Sequence, residues 1–152
     1  MPVINYWAVL IAAISTIVVG SIWYGPLFGK DFMASVGMDK WSPEKQAAMK
    51  KKMGMMYFQQ FICSLVTAFV LAHVLRALIG DAEMYRNEFG PHVLASIMSG
   101  LWGGFLIWLG FYLPVKYGEK LWSDKGNKMF YIEAGYSLII LVIMSIIISY
   151  SV

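Results

Sequence analysis

The sequence predicts an all-α integral membrane protein, a bundle of four transmembrane helices forming one domain over residues 1–152, and three observations predict it. The first is composition: hydrophobic residues make up 59% of the chain and charged residues 14%, where a soluble domain carries about a quarter charged. Mean hydropathy, at +0.64, points the same way. The second is the set of apolar stretches 3–24, 53–79, 92–113 and 129–152, each long enough to cross the hydrocarbon, which takes about 20 residues. The third is an echo within the chain. Trp23-Tyr24-Gly25-Pro26-Leu27, then Gly29 and Phe32, is answered by Phe111-Tyr112-Leu113-Pro114-Val115, then Gly118 and Trp122. Tyr57-Phe58-Gln59 is answered in turn by Tyr131-Ile132-Glu133. Two similar hairpins, spans one–two and three–four in parallel repeat, would produce this order. Little chain remains for a soluble catalytic domain.

The first span opens on Asn5-Tyr6-Trp7, whose amphipathic rings suit the membrane–water boundary. With no basic n-region and no fitting cleavage site it reads as a retained span rather than a secretory signal. Ala8, Ala12, Ser15, Thr16 and Gly20 form a stripe of small residues along it, and the third span carries Ser96, Gly100, Gly103 and Gly104. Aligned on Tyr24 and Tyr112, Ala12 falls on Gly100, Ser15 on Gly103 and Thr16 on Gly104. Such stripes let membrane helices approach closely; the alternative use is a glycine-rich wall of a pore. Pro26 and Pro114 fit helix ends. In the first loop, Ser42-Pro43-Glu44 has the chemistry of a helix start. It predicts a short interfacial helix that turns into the second span near Gly54. That loop is longer than its counterpart by about 14 residues, from the Pro26–Tyr57 and Pro114–Tyr131 separations of 31 and 17. Cys63 is the single cysteine, so no intramolecular disulfide forms.

The twelve Lys and Arg residues are unevenly placed. Six lie in the first loop (Lys30, Lys40, Lys45, Lys50, Lys51, Lys52) and four in or beside the third (Lys116, Lys120, Lys125, Lys128). Arg76 and Arg86 remain for the second connection. The bias of positive charge towards the cytoplasm then puts loops one and three in the cytoplasm and both termini outside. Lys50-Lys51-Lys52 reads as a topogenic, lipid-facing run, not a nucleic-acid site.

Glu133 is the leading candidate site residue, about one turn inside the fourth span. Ionisable groups in spans usually face protein or a wet cavity, but at this depth the carboxylate can also reach back to Lys128 or the headgroups. Gln59 and Gln60 lie at matching depth in the second span, and Tyr24 and Tyr112 end the first and third spans on the same side. Packed about a pseudo-twofold axis, these five residues line a polar pocket open to the cytoplasm. On the other side, His73 and Arg76 share a helix face, with His92, Asp81, Glu83 and Glu88 nearby in sequence. Their spacing matches no metal motif, so neither a metal nor another cofactor is expected. No catalytic or phosphate-binding motif is present either.

The run Trp23-Tyr24-x-Pro26-Leu27-Phe28-Gly29-Lys30, followed by a basic loop and then Leu65-Val66-Thr67-Ala68-Phe69-Val70-Leu71-Ala72-His73, resembles a bacterial membrane family. That family is catalogued only as a domain of unknown function with four predicted spans, and the resemblance covers essentially the whole chain. It implies a small multi-pass protein of the bacterial inner membrane and carries no activity with it. Two functional readings follow: transport, channel or binding of a small solute or ion through the polar pocket, and a structural or accessory role within a larger membrane complex. Membrane lipids and further copies of the chain are the expected partners. An enzyme is a distant third reading.

Overall fold

The computed structural model describes residues 4–79, 92–122 and 126–151. Over them the chain forms four helices long and apolar enough to cross a membrane: Tyr6–Leu27, Pro43–Ala77, Val93–Trp122 and Asn127–Tyr150. Asn5 caps the first, its side-chain oxygen accepting from the backbone N–H groups of Trp7 at 3.0 Å and Ala8 at 3.4 Å.

The prolines do not end the helices where the sequence reading places the ends. From Trp23 to Leu27 the first helix widens into a π turn that contains Pro26, and the Phe28 N–H donates to the Trp23 carbonyl five residues back at 2.9 Å. Proline lacks an N–H and its ring collides with the carbonyl four residues before it. A turn closed over five residues moves that carbonyl aside. The break comes at Phe28, with φ −121° and ψ 10°. The third helix does the same, running His92–Ile107, then a π turn Trp108–Tyr112, then Leu113–Trp122. Pro114 sits in the first turn of that last segment, so the helix carries on well past residue 113.

The second helix starts where the sequence reading puts it and then differs. Ser42 Oγ accepts from the Lys45 N–H at 3.3 Å, and the helix runs Pro43–Ile79 as 37 continuous residues. The interfacial piece is thus the start of the span itself, and the turn expected near Gly54 is absent. A glycine inside a helix costs only about 1 kcal/mol, which the Ala, Lys and Met residues before it offset. At 1.5 Å per residue the helix reaches ~55 Å, well beyond the ~30 Å of hydrocarbon. A short helix, Gly29–Ser35, and a 3-10 turn, Met38–Lys40, fill the rest of the first loop. An ion pair of 2.7 Å between Asp31 and Lys128 ties that loop to the start of the fourth helix, so loops one and three share one end of the bundle.

The fourth helix is the centre of the bundle: it packs along the third, then against the first, and only sparsely against the second. Val9, Ala12 and Ala13, Ala68 and Leu71, and Leu141 and Met144 join in the core from the first, second and fourth helices. Thr16 is buried as well, while Ser15 is half-buried. Where the third helix meets the fourth, a methyl carbon added at Gly100 would lie 2.5 Å from Ile146 Cα, and one at Gly104 2.8 Å from the Leu141 carbonyl oxygen. Here the two backbones touch. Gly103, next to them, is half-buried. The third-span stripe is therefore used within one chain at Gly100 and Gly104, which leaves those two glycines no free face for a second copy.

At the opposite end, His73 donates from Nδ1 to the Phe69 carbonyl at 2.7 Å, the only role a carbonyl partner allows. Asp81, Glu83, Arg86 and Glu88 lie outside the described residues. Among the described residues, no group of three or more His, Cys, Asp or Glu side chains is placed to hold a metal.

Candidate binding cavity

Two tryptophans set the geometry. Each π turn begins with one, and each indole donates to a backbone carbonyl of the fourth helix. Trp23 Nε1 reaches Ile132 O at 3.1 Å; Trp108 Nε1 reaches Ala134 O at 3.1 Å and Ser137 Oγ at 3.0 Å. The two carbonyls flank Glu133. The π turns are thereby fixed against the fourth helix on either side of this carboxylate, with Tyr24 inside the first turn and Tyr112 closing the second.

Between them lies a cavity of about 360 Å³, lined by Tyr24, Gln60, Tyr112, Glu133 and Tyr136 among others. Tyr136 stacks obliquely on Tyr24, ring centroids 5.0 Å apart and planes at 59°, and its hydroxyl donates to the Thr16 carbonyl at 3.1 Å. Gly20 makes room for that hydroxyl, which would lie only 3.0 Å from a carbon added there. Across the cavity, Lys116 bonds Glu119 at 2.8 Å and stands 3.8 Å from Glu133. The second distance is that of an ion pair and is too long for a hydrogen bond. The Glu133 and Lys116 side chains are only 23% and 24% exposed, so this charge pair is largely withdrawn from solvent. The Lys116 ammonium also lies 5.8 Å from the centre of the Tyr112 ring.

The cavity has neighbours on both sides. Lys116 and Glu133 also line a vestibule of about 250 Å³ against Lys120 and Phe130, at the third-loop end. Deeper in, Thr16, Gln60, Tyr112 and Tyr136 are shared with an inner chamber of about 230 Å³ that reaches Cys63, Ser64, Ile140 and Met144. Thr16 and Ser64 are hydrogen-bonded through their hydroxyls at 2.8 Å, and the Gln60 amide lies 3.5 Å from Ser64 Oγ. From Glu133 to Met144 this row of spaces descends ~16 Å along the fourth helix, about half the hydrocarbon thickness.

Four of the five residues expected in the pocket, Glu133, Tyr24, Tyr112 and Gln60, line this cavity together. Gln59 does not: it is exposed and turned away. The reason is helical phase. Tyr57 and Gln60, three apart, share the cavity face of the second helix, and Gln59, one residue before Gln60, points roughly 100° aside. The alternative fate of Glu133, reaching back to Lys128, is not taken up, because Lys128 pairs with Asp31. Lys116, Tyr136, Tyr57 and Thr16 are cavity residues that the sequence reading missed or gave other roles. Helical spacing carries the signal for three of them: Lys116 lies four after Tyr112, Tyr136 three after Glu133, and Thr16 eight before Tyr24.

A model of one protein family, described as "Protein of unknown function (DUF1761)", matches residues 7–149. No curated protein and no solved structure matches the chain.

Proposed function

Because the chain belongs to this family of unknown function, we propose a function from the cavity alone: it binds a small polar ligand within the membrane-spanning bundle and passes it into or across the membrane. One observation carries the reading. A carboxylate and an ammonium, mostly withdrawn from solvent, stand 3.8 Å apart without a hydrogen bond between them, beside tyrosines that line a 360 Å³ space. A pair built only for stability would close to contact and fill the space; burying charge loosely is costly. Two π turns also border that space, and such turns recur at functional sites. In this reading the protein catalyses no covalent change and uses no cofactor. It resides in the bacterial cytoplasmic membrane with loops one and three inside and both termini outside, and it self-associates.

Stopped-flow light scattering of proteoliposomes tests the transport reading. Vesicles shrunk by glycerol, glycine or methylammonium chloride re-swell faster than protein-free vesicles for at least one solute, and Glu133→Gln removes the gain at unchanged melting temperature. Identical traces with and without protein for all three would overturn it. Labelling of a cysteine introduced at Lys45 from outside intact cells would overturn the orientation.

The accessory reading has one observation in its favour: the first dozen residues of the second helix, from Pro43, are mostly exposed. A complex that co-purifies with the full chain and is lost when Lys50, Lys51 and Lys52 are all changed to Ala would favour it.

A further inference from the structure

The sparse packing of the second helix against the third and fourth leaves a second space that the cavity does not account for. It is a groove of about 430 Å³, walled by Val66, Val70 and Val74 on one side and Ile107 and Phe111 on the other, with Leu141 as its floor. Val66, Val70 and Phe111 are exposed along its rim, so it opens sideways, to where lipid chains lie when the four helices cross a membrane. Thr67 and Leu141 line both the groove and the inner chamber, and the chamber abuts the tyrosine cavity. The three spaces thus lie in a row with shared walls, a cleft that is polar at the loop-one and loop-three end and apolar towards the middle of the span. That is the order of groups in a membrane amphiphile standing in its own leaflet.

We propose that the occupant of this cleft is a phospholipid with an aminoethyl headgroup, its head in the tyrosine cavity and one acyl chain in the groove between the second and third helices. The inference rests on the cavity being a binding site, as proposed above, and names the class of its ligand. Length fits: Val66 to Val74 spans ~12 Å along the second helix, enough to hold much of an acyl chain. The charges fit as well. An ammonium carries three donors, so Lys116 can keep Glu119 and still offer one to a phosphate oxygen. Glu133 and the faces of Tyr24 and Tyr112 then receive the headgroup ammonium. Lys116 and Glu133, the charged residues that line the tyrosine cavity, sum to zero, which suits a headgroup that carries both signs. A zwitterion satisfies both halves of the pair.

The test uses the full chain, purified and delipidated in detergent. Phospholipids of identical acyl chains with aminoethyl or glycerol headgroups are added, and retained lipid is read by native mass spectrometry. The aminoethyl lipid should be retained at about tenfold lower concentration than the glycerol lipid, the worth of one partly shielded charge pair. Glu133→Gln should erase that preference, and Val70→Trp, which fills the groove, should weaken retention of both lipids. Should Val70→Trp fail to fold, an acyl-chain diazirine on wild-type protein replaces it, with adducts expected on Val66, Val70, Val74 and Phe111. Adducts spread evenly over outward residues such as Val18 and Leu106, a groove shielded by a second copy of the chain, or equal retention of the two lipids would overturn the proposal. If the lipid test fails while glycine or methylammonium flux still depends on Glu133, the small-solute reading stands alone. If both fail, the cavity is no binding site.

Discussion

The seam between the third and fourth helices and the gap between the second and third are both contacts among helices long and apolar enough to cross a membrane, yet one is shut and the other open. At the shut seam Gly100 and Gly104 bring the third-helix backbone against Leu141, Val142 and Ile146, and the same two helices bury small serines, Ser96 and Ser99 on the third and Ser145 and Ser149 on the fourth. At the open gap the facing residues are Val66, Val70, Val74, Ile107 and Phe111. Branched and aromatic side chains hold the two backbones apart, and in a bilayer no hydrophobic drive pulls them together. The difference teaches where a site can form. The seam supplies rigidity, and the groove lies where branched and aromatic residues replace small ones.

Breaking the seam should have the largest effect. Gly100→Leu forces side-chain atoms into the Ile146 backbone and should destabilise the fold by about 3 kcal/mol, typical of severe overpacking; unfolding in a denaturing-detergent titration measures it. Unchanged stability would mean the backbones do not touch. Trp108→Phe comes next. It removes the indole bonds to Ala134 O and Ser137 Oγ and should cost about 1 kcal/mol by the same titration, with a weakened hold on one side of the cavity. The smallest effect belongs to the exposed first part of the second helix. Gly54 has nothing within 4 Å of an added methyl carbon, so Gly54→Ala should stabilise by about 0.5–1 kcal/mol. Loss of helicity by circular dichroism would instead argue for a real turn there.

The comparison also marks what was legible in the sequence. Four apolar lengths and a stripe of glycines are local properties, and they foretell four helices. The glycine spacing signals close packing and leaves the partner open, which is why Gly100 could suggest a second copy and is found against Ile146 instead. Glu133, Tyr24, Tyr112 and Gln60 were reachable because polar groups in apolar runs are few. Gln59 was misplaced because the matching of Tyr57-Phe58-Gln59 to Tyr131-Ile132-Glu133 ignored helical phase. The π turns at Trp23–Leu27 and Trp108–Tyr112 were not legible: a proline signals that a helix must adjust, and whether it stops or widens depends on what Trp23 and Trp108 find on the fourth helix. The groove was out of reach for the same reason, since it depends on two helices that fail to pack.

The central claim is that the cleft behind Glu133 is a wet, accessible site reaching to mid-span. Cys63, the single cysteine of the chain, lines its inner chamber and is otherwise exposed on the helix face, where in a bilayer a cation that stays out of lipid reaches it only through water in the cleft. Protein reconstituted in vesicles is exposed to trimethylammonioethyl methanethiosulfonate, a cation that does not enter lipid, and labelled Cys63 is counted by mass. The account predicts labelling within minutes in the folded protein, strongly slowed by Gln60→Trp, which plugs the passage from the cavity. A Cys63 that stays unmodified in the folded protein, yet reacts after denaturation in dodecyl sulfate, would contradict it.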